Sequence, residues 1–307
     1  MPSSLSQPTS PAADAVFSGL WIPLVTPFRD GAVDHPALAA MTATLAQYGV
    51  SGFVACGSTG EAAALDKAEQ LAVLETVLGA TQGLPVVMGL SGYHLGQTVA
   101  WVQTLARYPL AGLLVPAPHY IRPGQDGLLH WFRTLADASH VPLVIYDIPY
   151  RTGATLATET LLALAVHPRI RAIKDCGGNP AKTQALIADG RLAVLAGEDA
   201  QMFTTLALGG TGAIAASAHW QAPQFVELVA LLRAGDLAAA RQRWQALQPW
   251  VELCFAEPNP APLKAVLAQA GWMRNELRAP MMPASQGLME RLQRLQHPRV
   301  VADLSRP

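Results

Sequence analysis

This 307-residue sequence predicts the α/β class, as a (β/α)8 TIM barrel with a C-terminal helical extension. Three observations predict it. Eight short apolar runs, rich in β-branched residues and bounded by turn residues, recur up to residue 216. Helical patterns with one apolar face lie between them. Beyond about residue 222 the strand pattern stops while helical patterns continue.

The first sixteen residues, rich in Ser, Pro and Ala, have neither a basic start nor an apolar run, so a flexible tail is expected over 1–16 rather than a signal peptide. The strand runs follow at Leu20–Thr26, Gly52–Cys56, Val86–Gly89, Gly112–Val115, Pro142–Tyr146, Ile170–Lys174, Leu192–Ala196 and Gly212–Ala216. Helical patterns separate them, among them Pro36–Tyr48, Lys67–Thr81, Gln97–Arg107, Gly127–Ala138, Thr158–Val166 and Ala181–Ala188. Strands apolar on both faces imply a parallel sheet covered by helices, and eight such units close into a barrel, placed here over 17–222. A doubly wound open sheet is the alternative, because periodicity does not prove closure. A helical domain is expected over 223–307, with patterns at Phe225–Arg233, Leu237–Phe255, Pro260–Ala270 and Gln286–Leu295. Its tract Glu257-Pro258-Asn259-Pro260-Ala261-Pro262 reads equally as a linker or as the first turn of the next helix.

Hydrophobic residues make up 51% and charged residues 14%, enough for a large buried core. Twenty-one Lys and Arg against 22 Asp and Glu give a net charge of -1, which supplies no basic field for nucleic acid or an anionic membrane. Cys56, Cys176 and Cys254 are odd in number and far apart, unlike a disulfide framework or a zinc site, and suit a reducing cytoplasm. No apolar stretch approaches the roughly 18 residues of a membrane span. The expected partner is a small molecule or another copy of the chain.

In such a barrel the chemistry sits at the C-terminal ends of the strands. Of the four lysines, Lys67, Lys182 and Lys264 fall in amphipathic or linker contexts that suit solvated ammonium groups. Lys174 instead closes the apolar run Ile170–Ile173, where burial disfavours the charged form and frees an amine to attack a carbonyl. A lysine that reaches water or pairs with Asp175 is the alternative. Gly57-Ser58-Thr59-Gly60 offers amides and two hydroxyls for a small carboxylate, although a plain capped turn has the same composition. It has neither a P-loop lysine nor dinucleotide spacing. Tyr146 can pass a proton to or from Ser58 or Thr59, or sit satisfied in the core. Arg151 suits a second carboxylate, or plain solvation. The histidines show no metal-ligand spacing, so no metal is expected. Glu198 and Asp199 could face the mouth, but helix capping explains them at least as well, and they stay outside the catalytic set.

Taken in order, Pro23–Phe28, Gly57–Glu61, Tyr146–Gly153, Ile173-Lys174-Asp175, Gly209–Gly212 and Glu257–Pro260 resemble the dihydrodipicolinate synthase/N-acetylneuraminate lyase family over Phe17 to Leu295. The resemblance implies a class I aldolase without cofactors, in which Lys174 forms a Schiff base with pyruvate and the derived enamine attacks an aldehyde. It implies a hydroxyl relay of Tyr146, Ser58 and Tyr120, with Tyr120 entering from a neighbouring subunit of a homodimer or homotetramer. Thr59, nearby amides such as those around Gly57, and the backbone at Ile214 then hold pyruvate.

Within that family the Arg151-Thr152-Gly153 feature points to dihydrodipicolinate synthases, where the arginine holds the carboxylate of aspartate semialdehyde in lysine biosynthesis. Another pyruvate-dependent aldolase or a 2-oxo-acid dehydratase of the family is the alternative. Four features depart from the pattern: Asp147 for asparagine, His119 for the first tyrosine of a pair, His219 for asparagine, and the loop Gly89–Tyr93. They fall near the second substrate or the subunit contact and leave the imine machinery intact.

Overall fold

The computed structural model describes residues 16–296, so the tail expected over 1–16 lies outside the described residues except for Val16. Ten strands occur among these residues. They are β1 (Gly19–Pro23), the antiparallel pair β2 (Phe28–Arg29) and β3 (Ala32–Val33), β4 (Gly52–Ala55), β5 (Val86–Gly89), β6 (Gly112–Pro116), β7 (Leu143–Asp147), β8 (Ile170–Asp175), β9 (Ala193–Ala196) and β10 (Gly212–Ile214). All but β2 and β3 form one closed parallel barrel, in which β1 pairs with both β4 and β10. Closure excludes the doubly wound sheet. The first run was expected to reach Thr26 but stops at Pro23, and the eighth stops at Ile214 rather than Ala216.

The barrel carries two layers of buried side chains. An inner cluster holds Trp21, Val54, Val87, Leu114, Val144, Ala172 and Ile214, while an outer cluster holds their strand neighbours Ile22, Phe53, Met88, Val115, Ile145 and Ile173. This is the period-two alternation of a strand. Continued along β7 and β8, it turns Tyr146, two residues after Val144, and Lys174, two after Ala172, into the barrel mouth.

Several helices start at a side-chain cap. Asp66 accepts from the Glu69 amide while the Glu69 carboxylate accepts from the Asp66 amide, a reciprocal cap that starts Lys67–Ala80. Asn179 caps Pro180–Asp189, with Pro180 in the first turn. Helix Ala222–Arg233 follows β10 and packs against β1 and against helix Leu237–Cys254. In the proline tract Pro260 is the cap of helix Ala261–Gln269 and Pro262 lies in its first turn, so the helix-start reading holds.

Two lysines depart from expectation. Lys182 is 4% exposed and ion-paired with Asp147, and Lys264 is fully buried and ion-paired with Glu61. Both partners lie far off in sequence, on elements that the pattern of the lysine's own helix does not reveal. Of the three, Lys67 alone is exposed as expected, with its ammonium 4.2 Å from the centre of the Trp101 ring.

Candidate active site

Lys174 and Tyr146 are direct neighbours in the parallel register of β7 and β8. The Lys174 Nζ lies 4.4 Å from the centre of the Tyr146 ring. Lys174 is 5% exposed, and Tyr146 is buried as well. Burial pushes the Tyr146 phenol well above the ordinary tyrosine range, against the opposing pull of the Ser58 hydrogen bond and the Arg151 charge. The phenol therefore keeps its proton at neutral pH, where it can donate.

Its hydroxyl stands 3.4 Å from the Ser58 hydroxyl, which comes from the loop after β4. That loop folds on itself: the Gly60 amide donates to the Gly57 carbonyl, and the Glu61 amide to the Ser58 carbonyl. Thr26 clamps it by donating to the Gly60 carbonyl at 2.7 Å. Among the described residues none accepts from the amides of Ser58 or Thr59, which leaves both for an anion. Thr59 is buried, and its hydroxyl accepts from the Asn259 side-chain amide at 2.9 Å.

The cleft above Lys174 is lined by Ser58, Thr59, Tyr146, Arg151, Ile214 and Asn259 among others. A second cavity of about 260 Å³ adjoins it, with Gly57, Ser58, Tyr146 and Arg151 on its wall beside the apolar side chains of Ala62, Leu90 and Leu114. Gly57 thus faces this cavity. Arg151 borders both spaces from an exposed position on the short helix Pro149–Thr152.

Tyr120 does not join them. It is 86% exposed, in a left-handed conformation at φ 73°, and lines neither space. His119 lines the second cavity, with its ring edge-on to Tyr93 at 5.4 Å between centres. His219 is a satisfied core histidine: Nδ1 donates to the Ala216 carbonyl at 2.8 Å and Nε2 accepts from the Val25 amide at 3.2 Å. Burial lowers its pKa to about 4, so the ring is neutral.

Asn259 and Gly197 escaped the sequence reading, which left Asp199 outside the catalytic set. Asn259 sits in the proline tract. Gly197, after β9, permits the lysine's position: a Cβ there would lie 2.4 Å from the Cys176 sulfur and 2.7 Å from Lys174 Cγ. Asp199 does not cap its own helical turn. It is buried beside the cleft and accepts from the Ser217 amide at 2.7 Å and the Ser217 hydroxyl at 2.6 Å. Burial raises its carboxyl to about 6. Glycine after a strand is the one signal that could have marked Gly197. Among the described residues no group of three or more His, Cys, Asp or Glu could hold a metal ion.

Residues 16–297 match the model of the Dihydrodipicolinate synthetase family. The chain is 38% identical over 281 residues to 4-hydroxy-tetrahydrodipicolinate synthase of Sorangium cellulosum, covering 90% of this chain and 93% of the relative. It is 34% identical over 278 residues to 4-hydroxy-tetrahydrodipicolinate synthase 2 of Clostridium acetobutylicum, covering 89% and 97%. Among solved structures, dihydrodipicolinate synthase from Thermotoga maritima superposes with a TM-score of 0.89 at 28% identity, over 91% of this chain and 97% of that one.

Proposed function

From the premise that this chain belongs to the dihydrodipicolinate synthetase family, we propose that it is a 4-hydroxy-tetrahydrodipicolinate synthase joining pyruvate to aspartate semialdehyde through Lys174. It is a lyase of the class I aldolase type. One observation carries the assignment of roles: Lys174 and Tyr146 stand side by side in the mouth, with the Ser58 hydroxyl and Arg151 bordering the same cleft.

The Lys174 amine adds to the carbonyl carbon of pyruvate. Tyr146 gives a proton to the departing oxygen, water leaves, and an imine remains. The free Ser58 and Thr59 amides and the Thr59 hydroxyl hold the pyruvate carboxylate meanwhile. Tyr146, now without that proton, takes one from the pyruvate methyl to give the enamine, whose terminal carbon bonds to the aldehyde carbon, and the aldehyde oxygen receives the proton back through the Tyr146–Ser58 pair. The amino group of aspartate semialdehyde then attacks the imine carbon, closes the ring and releases Lys174. Arg151 grips the carboxylate of that second substrate, which favours this enzyme over aldolases for uncharged aldehydes.

We read the enzyme as a homodimer or homotetramer in which Tyr120 serves the cleft of a neighbouring copy. Its exposure and its place outside its own cleft support that reading. The three buried free cysteines suit the cytoplasm proposed here. No helix among the described residues is long and apolar enough to cross a membrane.

Incubation with pyruvate and borohydride, followed by peptide mass spectrometry, tests the assignment. A reduced adduct on Lys174, together with turnover only when aspartate semialdehyde is added, is expected. An adduct elsewhere, or none, would overturn the imine mechanism.

A further inference from the structure

The loop that carries Arg151 is tied at both ends to one buried ammonium. β7 ends at Asp147, whose carboxylate is ion-paired with Lys182. The chain then runs through the helical turn Pro149–Thr152, which holds Arg151, and re-enters the core at Leu156. The Leu156 carbonyl accepts from the same Lys182 Nζ at 3.2 Å. Lys182 itself is fixed in the first turn of helix Pro180–Asp189, where its amide donates to the Asn179 side chain at 3.2 Å. A Cβ on Gly177 would lie 2.7 Å from the ammonium and 2.8 Å from the Asp147 carboxylate, so a glycine leaves room for the pair.

Within the segment, the Thr152 hydroxyl donates to the Ile148 or the Ala154 carbonyl, each at 3.1 Å, and accepts from the Ala154 amide at 3.2 Å. The loop is therefore braced within and anchored at its two feet. The guanidinium is exposed and takes its position from this backbone. A two-point grip on a carboxylate tolerates little displacement.

Resting on the two-substrate reading above, we propose that Lys182, through Asp147 and Leu156, is a positioning residue for the second substrate's carboxylate and sets how Arg151 meets it. The pair lies behind the mouth and does not line the Lys174 cleft. Its influence falls on the aldehyde and leaves imine formation alone. Asp147 and Lys182 form one unit here: a carboxylate at the strand end needs the ammonium, because removing one partner leaves a buried charge alone.

The test replaces both partners at once, Asp147→Asn with Lys182→Met, so that no charge is left buried. The KM for aspartate semialdehyde is expected to rise by about tenfold to a hundredfold. The KM for pyruvate and the yield of borohydride-trapped Lys174 adduct stay within about twofold. Added to Arg151→Ala, the same pair of changes is expected to cost almost nothing more, because the group it places is gone. Gly177→Ala, whose Cβ pushes on the ion pair, gives the same selective rise and decides the matter if the double variant does not fold. An unchanged KM for aspartate semialdehyde, equal losses for both substrates, or full additivity with Arg151→Ala overturns the proposal. A wild-type enzyme that traps pyruvate yet ignores aspartate semialdehyde overturns the parent reading, and this one with it.

Discussion

Asn259 donates its side-chain amide to the Thr59 hydroxyl at 2.9 Å, joining the chain's C-terminal part to the loop after β4, 200 residues earlier. Once the Thr59 oxygen accepts this bond, its own proton is free to point at a substrate carboxylate.

Asn259→Ala is expected to release that proton's orientation and raise the KM for pyruvate about tenfold, or about 1.4 kcal/mol, with a smaller change in kcat. Steady-state kinetics varying each substrate in turn would show it. A pyruvate KM equal to wild type would refute the role.

Gly197→Ala places a methyl 2.4 Å from the Cys176 sulfur and 2.7 Å from Lys174 Cγ. The lysine must move. We expect at least about a hundredfold loss of kcat/KM together with about 1–3 kcal/mol of stability. Adding Cys176→Ala removes the closer clash and should restore part of both. Chemical denaturation and kinetics on the single and double variants make the comparison.

His219 controls stability in acid. Its folded pKa is lowered from 6.5 to about 4, so its contribution is present above pH 6.5 and is lost as pH falls toward 4. Wild type should lose up to about 3 kcal/mol over that range relative to His219→Asn, which cannot take a proton. Asp199 acts with the opposite sign. Its folded pKa is raised from 3.8 to about 6, so stability is lost as pH rises through that interval. Urea midpoints of His219→Asn and of Asp199→Asn, followed between pH 4 and 7, should therefore slope in opposite senses relative to wild type.

Lys264→Met strands Glu61 in the core without its cation and is expected to cost about 3–5 kcal/mol. Pairing it with Glu61→Gln should recover much of that loss. Thermal or urea unfolding of the three variants gives the cycle.

The barrel was legible because each strand announces itself locally, as a short apolar run between turn residues. The cluster of Lys174, Tyr146, Ser58 and Arg151 was legible for a related reason, since each ends a strand or opens the loop after one. What escaped depends on partners remote in the chain. Lys182 looked solvated because helical periodicity reports only on its own helix, whereas Asp147 lies 35 residues earlier. Asn259 hid in a tract whose prolines serve a linker or a helix start equally well. Asp199 looked like a cap, yet its acceptors are filled by Ser217, 18 residues on. Tyr120 lies outside its own cleft, and only the family resemblance gave it a part in the chemistry.

Closure of the sheet through β1 leaves no strand with an unpaired edge in the barrel. Its mouth loops can lengthen, shorten or change composition without exposing a ribbon on which other chains could polymerise. Lys174, held in that closed sheet, keeps its place whatever side chains the rim presents to a second substrate.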